Sequence, residues 1–244
     1  MWPLTAAQLL HIWEQGSGQS TVQQALLLLS AACPDKPPDA LAALPVGQRD
    51  ARLLTLREGI FGPQLVCLIT CAACSERLEL SCNVADILIV TQAEPAETFS
   101  WSGNDYQIEF RLPNSLDLAA ISHHENKEQA RRQLFERCLL TATHNSQKTA
   151  ANQLPADIIE AVADRMAESD PQADVQMALT CAACGHQWQA IFDIVSFLWA
   201  EINAWAYRIL EEVHYLASAY SWCEADILAM SPWRRQYYLE AISK

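Results

Sequence analysis

The sequence predicts an α+β fold: helical N- and C-terminal parts around a small β-rich, zinc-ribbon-like centre. Three observations predict it. The pentapeptide Thr-Cys-Ala-Ala-Cys occurs twice, at Thr70–Cys74 and Thr180–Cys184. Short alternating apolar stretches flank each copy, Gln64–Ile69 and Glu76–Leu80 around the first, Asp174–Leu179 and Gln187–Phe192 around the second. Such alternation is the mark of half-buried strands, so each copy reads as strand, Cys-X-X-Cys turn, strand. Outside these stretches the apolar period becomes helical. The expected organisation is a helical region 1–62, a knuckle region 63–193 with an insertion over about 94–172, and a helical region 194–244.

Two facing Cys-X-X-Cys turns supply four sulfurs at about 2.3 Å from a tetrahedral zinc ion. Cys71, Cys74, Cys181 and Cys184 are therefore the expected ligands of one structural Zn²⁺ per chain. Disulfides are the first alternative, but nine cysteines is an odd number and no secretory signal is visible. Redox use is the second; it needs a helix N-terminus to depress one thiol, and here a strand follows each pair. His186 is a spare donor beside four thiolates that already fill the shell. Gly185 suits the positive φ that follows a knuckle, and Ser75 stands in the matching place. Cys33, Cys67, Cys82, Cys138 and Cys223 read as small buried hydrophobes.

Along the chain, Thr5 caps a helix to Gln15, and Ser20 or Thr21 starts another to Ala32. Ala51–Glu58 reads as helix, broken by Gly59 and Gly62-Pro63. In the insertion, Thr98–Trp101 and Tyr106–Leu112 flank Ser102-Gly103-Asn104-Asp105, a hairpin signal. A short helix through Ile121, a polar helix Glu125–Leu140, a polar loop Thr141–Gln153 and a helix Ala156–Ala167 follow. Val195, Leu198, Ile202, Trp205, Ile209, Val213, Leu216 and Tyr220 form one stripe, predicting a helix of about 25 residues. His214 reads as a structural histidine. Trp222–Met230 and a segment opened by Ser231-Pro232 are the last helices; Trp233, Tyr237 and Tyr238 either pack on the long helix or face a partner, and packing is the expectation.

The formal charge is −13, which argues against a nucleic-acid partner, since those binders present a basic face. No apolar run reaches the ~20 residues of a membrane span. A protein of the reducing cytoplasm follows. Phosphate-cradling glycine loops, nucleophile elbows and His-Glu-X-X-His are missing from the sequence. His123-His124-Glu125 reads as a solvated loop, because adjacent residues point apart. A catalytic zinc keeps an open position, and four cysteines close it, so no enzymatic activity is expected.

Several stretches resemble a known family. They are Leu44-Pro45-Val46-Gly47-Gln48-Arg49-Asp50 through Leu53–Glu58 and Phe61-Gly62, the two Cys-X-X-Cys pairs, and Phe110–Ala120 with Leu112-Pro113-Asn114-Ser115-Leu116-Asp117. Val213–Ala217, Ala219–Leu228 and Ser231–Leu239 complete them. Together they resemble the baseplate proteins of T-even-like phages, found also with phage-tail-like contractile injection systems. The C-terminal pattern is shared with small tail and baseplate assembly factors. The resemblance implies a non-enzymatic role in baseplate or hub assembly, as a resident subunit or a departing chaperone, with other baseplate or tail proteins as partners. It leaves self-association open. One departure stands out: Ser221-Trp222-Cys223 occupies a place where the family commonly has Gly-Trp-Ser or Gly-Trp-Thr, a better helix stop and N-cap.

Overall fold

The computed structural model describes residues 3–89 and 97–242 and divides into two compact units, Met1–Lys36 with Ile194–Lys244, and Pro37–Asp193. The expected start of the insertion near residue 94 lies outside the described residues.

The first unit is helical. Helix α1 (Ala6–Gly16) opens on a reciprocal Thr5–Gln8 cap, and α2 (Thr21–Ala32) on the equivalent Ser20–Gln23 pair. The predicted long helix is α9 (Ile194–Tyr220), burying Val195, Leu198, Ile202, Ala206, Ile209, Val213 and Leu216. α10 (Glu224–Ala229) and α11 (Pro232–Ile242) follow it. Leu10, Ile209, Leu216, Ile227 and Leu228 share one core, lined by Trp13, Trp205 and Tyr238. A β-carbon on Gly16 would lie 2.2 Å from the Trp199 indole, so only glycine lets that ring approach. The Trp13 indole N–H donates to Asn203 at 2.9 Å. Buried Arg235 ties α11 to α9, donating to Glu212 at 2.8 Å and to the Met230 carbonyl at 2.6 Å.

Three expectations for this unit change. Tyr238 packs inward, but Trp233 and Tyr237 face solvent, because Arg235 and Tyr238 take the core side of α11. His214 is exposed on the outer face of α9. Cys223 is also exposed. Ser221 ends α9 at φ +55°, a left-handed conformation favoured by glycine, and its N–H donates to the Ala217 carbonyl at 2.8 Å. Cys223 is the N-cap of α10 but accepts no backbone hydrogen bond there, its thiol donating to Asp226 at 3.0 Å. Cys223→Ser supplies the missing acceptor. It is expected to raise stability by about 0.5–1 kcal/mol, read as a higher melting temperature.

The second unit begins with α3 (Pro38–Ala42) and α4 (Val46–Phe61). The hairpin β1 (Gln64–Thr70) and β2 (Arg77–Asn83) leads to the single turn α5 (Val84–Ile87). An antiparallel sheet in the order β3-β4-β5-β6 follows, from β3 (Phe99–Gly103), β4 (Tyr106–Phe110), β5 (Leu139–His144) and β6 (Gln147–Lys148). Between β4 and β5 lie α6 (Ser115–Ile121) and α7 (Lys127–Cys138). Helix α8 (Ala156–Ser169) then leads to the second hairpin, β7 (Gln176–Thr180) and β8 (Gln187–Ile191). Ile108, Phe110, Phe135, Ala142, Ile158 and Val162 make the core under the four-stranded sheet.

Helix α4 begins five residues before the expected start and runs through Gly59. Asp170 supplies a cap from a distant part of the chain: its carboxylate accepts the Gly47 N–H at 2.9 Å. A β-carbon on Gly47 would lie 1.9 Å from that carboxylate, so the glycine leaves the opening that Asp170 fills. Thr141–Gln153, expected as loop, holds most of β5 and all of β6. Asn145 and Ser146 turn the chain at φ +50° and +65° without a glycine, and Thr141 and Thr143 pair with Glu109 and Gln107 of β4.

Candidate metal centre

Each hairpin closes on a six-residue loop carrying one Cys-X-X-Cys. The closing strand pairs are Thr70 with Arg77 and Thr180 with Gln187. Inside each loop the first cysteine makes the same two backbone bonds. Cys71 N–H donates to the Glu76 carbonyl at 2.9 Å, and Cys181 N–H to the His186 carbonyl at 2.8 Å. The Cys71 carbonyl accepts from Ser75 N–H and the Cys181 carbonyl from Gly185 N–H, both at 2.9 Å. The residue after the second cysteine is left-handed in both copies, Ser75 at φ +62° and Gly185 at φ +74°. Serine thus holds the conformation that glycine holds in its twin, at a cost of about 1 kcal/mol. Ser75→Gly is expected to recover about 0.5–1 kcal/mol, seen as a higher urea midpoint with unchanged slope.

The backbone symmetry brings the four thiols together. Their sulfurs all lie within 4.8 Å of one another. Cys71 Sγ sits 3.8 Å from Cys184 Sγ, and Cys74 Sγ 3.6 Å from Cys181 Sγ. A regular tetrahedron with metal–sulfur bonds of 2.3 Å has edges of about 3.8 Å, so the donor set fits a four-thiolate ion. A disulfide requires about 2.05 Å, and none of these four cysteines is bridged. Cys71 and Cys181 are each 1% exposed, whereas Cys74 and Cys184 are open to solvent. Burial resists ionisation of Cys71, but the N–H groups of Cys74 and Ala73 and the neighbouring thiols hold its pKa down to about 7. The Glu76 N–H favours ionisation of Cys74, yet Cys184, burial and the other sulfurs push that thiol up to about 12. Four cysteines this close ionise together only beside a cation.

The four residues put forward from sequence thus lie in one cluster and can hold a metal ion. His186 does not join them; its ring stacks with Trp188 at 5.6 Å. His123, His124 and Glu125 are exposed, with His124 against Gln133.

A second constellation, not anticipated as a unit, joins two of the stretches singled out above. Val46 N–H donates to the Pro113 carbonyl at 2.9 Å, and Pro45 and Asn114 form an isolated antiparallel bridge. Beside it, fully buried Asp117 accepts from Arg111 at 2.5 and 2.9 Å, from Arg137 at 2.9 Å, and from the Asn114 N–H at 3.1 Å. The Asn114 side chain in turn caps α6.

Over residues 4–199 the sequence matches the family described as T4 bacteriophage base plate protein. The chain belongs to that family. No curated protein and no solved structure matches it. In this base plate family member both knuckles and the Asp117 cluster fall inside the matched span. The rest of α9, α10 and α11 lie beyond it. Among the described residues no helix is long and apolar enough to cross a membrane.

Proposed function

We propose that this chain is a non-enzymatic protein of the baseplate of a contractile phage tail or a phage-tail-like injection system. It acts through contacts with other baseplate or tail proteins. Cys71, Cys74, Cys181 and Cys184 hold one structural Zn²⁺, clasping the two hairpins into a zinc-ribbon-like centre. The observation that carries this reading is the tetrahedral fit of four sulfurs from hairpins 110 residues apart, in a chain that belongs to a base plate family. A shell of four cysteines leaves no open position for a substrate, which favours bracing over catalysis. On this reading the chain is organised as helical regions 1–62 and 194–244, which offer docking surfaces, and the braced region 63–193. Assembly takes place in the cytoplasm, with no nucleic-acid or membrane partner.

Two roles fit, resident subunit and departing chaperone. Deleting the gene is expected to abolish assembled baseplates. Quantitative mass spectrometry of purified particles then separates the roles: a fixed copy number marks a resident subunit, and its loss from complete particles marks a chaperone. Normal particles from the deletion strain would overturn both. A zinc or thiol enzyme, the competing class, would turn over a substrate and lose that activity on substitution of one cysteine with the fold intact.

A further inference from the structure

We propose that Asp170 and Gln172, at the single turn Pro171–Ala173, are positioning residues for the four-cysteine site, setting the angle between the two hairpins so that their sulfurs meet. This deepens the reading that Cys71, Cys74, Cys181 and Cys184 hold zinc, and rests on it. Among the described residues the hairpins form separate two-stranded sheets, so no strand pairing registers one on the other. Each is tied off at its own base: Val84 N–H donates to the Pro63 carbonyl, and Phe192 N–H to the Val175 carbonyl, both at 2.9 Å. Buried Arg57 fixes the approach to the first hairpin, donating to the Gly62 carbonyl at 2.7 Å. A tilt of about 5° at the base of a strand about 17 Å long carries its tip by about 1.5 Å. Metal–ligand distances tolerate about 0.2 Å, so something must hold the two bases in a fixed relation.

Gln172 stands four residues before β7 begins and is buried. Its side-chain oxygen accepts the Ile89 N–H at 2.6 Å, six residues past the end of β2. Two residues earlier, Asp170 accepts the Gly47 N–H at the start of α4, the helix that leads into β1. The turn that enters the second hairpin therefore grips the chain both before and after the first. The turn lies close against α4, since a β-carbon on Gly47 would sit 3.0 Å from the Ala173 backbone nitrogen. Both grips end on backbone N–H groups, which a side-chain substitution elsewhere cannot replace. Burial raises the pKa of Asp170, so charge is costly at that position and an uncharged oxygen can serve in its place.

The test is the rate at which zinc leaves the loaded full chain for a chromogenic chelator. It is read at chelator concentrations where the rate no longer rises and local opening of the hairpins sets it. Gln172→Met keeps the length and apolar stem but removes the acceptor, and Asp170→Ala removes the other. Each is expected to release zinc about tenfold faster than wild type, equivalent to about 1.4 kcal/mol. Asp170→Asn keeps an oxygen for the Gly47 N–H and is expected to release at the wild-type rate. Ile158→Val, in the core under the four-stranded sheet, lowers the urea stability of the same unit and is expected to leave release unchanged. The two sites are read independently, so a variant that fails to load leaves the other to decide. Zinc leaving all forms at one rate, Asp170→Asn as fast as Asp170→Ala, or an equal acceleration by Ile158→Val would each overturn the positioning role while leaving the metal reading intact. A wild type that carries no zinc would overturn both.

Discussion

Cys181→Ser is expected to abolish metal binding and cooperative unfolding of the 37–193 unit, a loss of at least about 3 kcal/mol. Cys181 is 1% exposed, and its Sγ lies 3.6 Å from that of Cys74 on the other hairpin. A hydroxyl there is a poor zinc donor, and the three remaining thiolates keep their mutual repulsion without a full shell. Structural zinc contributes on the order of 10–16 kcal/mol of apparent binding energy in small domains, so one lost ligand outweighs any packing change. Cys82→Ser, half-buried on β2 and outside the cluster, is the control and is expected to cost about 1 kcal/mol or less. Chelation should reproduce the Cys181→Ser behaviour, whereas a reducing agent should leave the melting curve unchanged. Sensitivity to reductant would mean that disulfides hold the hairpins instead.

Asp117→Asn is expected to destabilise the same unit by about 2–3 kcal/mol, measured by urea unfolding. Removing one partner of a buried ion pair costs ~3–5 kcal/mol, and the smaller figure applies because Arg137 is 38% exposed and its charge is partly screened. Asparagine keeps the size but leaves Arg111 and Arg137 facing each other without a carboxylate. Burial alone would raise the pKa of Asp117, but Arg111, the Asn114 N–H and Arg137 more than offset it and hold the carboxyl below its usual value. Its stabilisation is therefore complete above the unfolded carboxylate pKa of about 3.9 and disappears as pH falls through the lower folded value. The wild-type advantage over Asp117→Asn should accordingly shrink below about pH 4. Asp50 and Asp170 run the other way: burial raises both, so their contribution diminishes as pH rises from about 4. A wild-type advantage that is flat between pH 2 and 7 would show that Asp117 does not act through its charge.

The parts of the fold legible in the sequence were those set by local pattern. The stripe of α9 repeats at helical spacing for 27 residues, and nothing but a buried helical face explains it. Asn104-Asp105 turned the β3–β4 hairpin as expected, both residues at positive φ. Where the deciding partner is remote, sequence is silent. The helix expected from Ala51 starts five residues earlier because the group that caps it, Asp170, lies 123 residues beyond Gly47. Thr141–His144 reads as polar loop because its strand is held by pairing with β4 and turned by Asn145-Ser146, a sequence lacking the usual glycine. Of the Asp117 cluster only the stretch Phe110–Ala120 was singled out, as part of a resemblance; Arg137 comes from α7, and nothing local ties it to Asp117. The direction of Trp233 was also illegible: α11 has apolar residues on more than one face, and the burial of Arg235 decides which face turns inward.

The central claim, that two distant hairpins are clasped by one ion, is most directly tested by native mass spectrometry of the full chain beside its denatured mass. One zinc per chain, absent from a form with all four of Cys71, Cys74, Cys181 and Cys184 replaced by serine, is the result this account requires. A folded wild-type chain with no bound metal would contradict it.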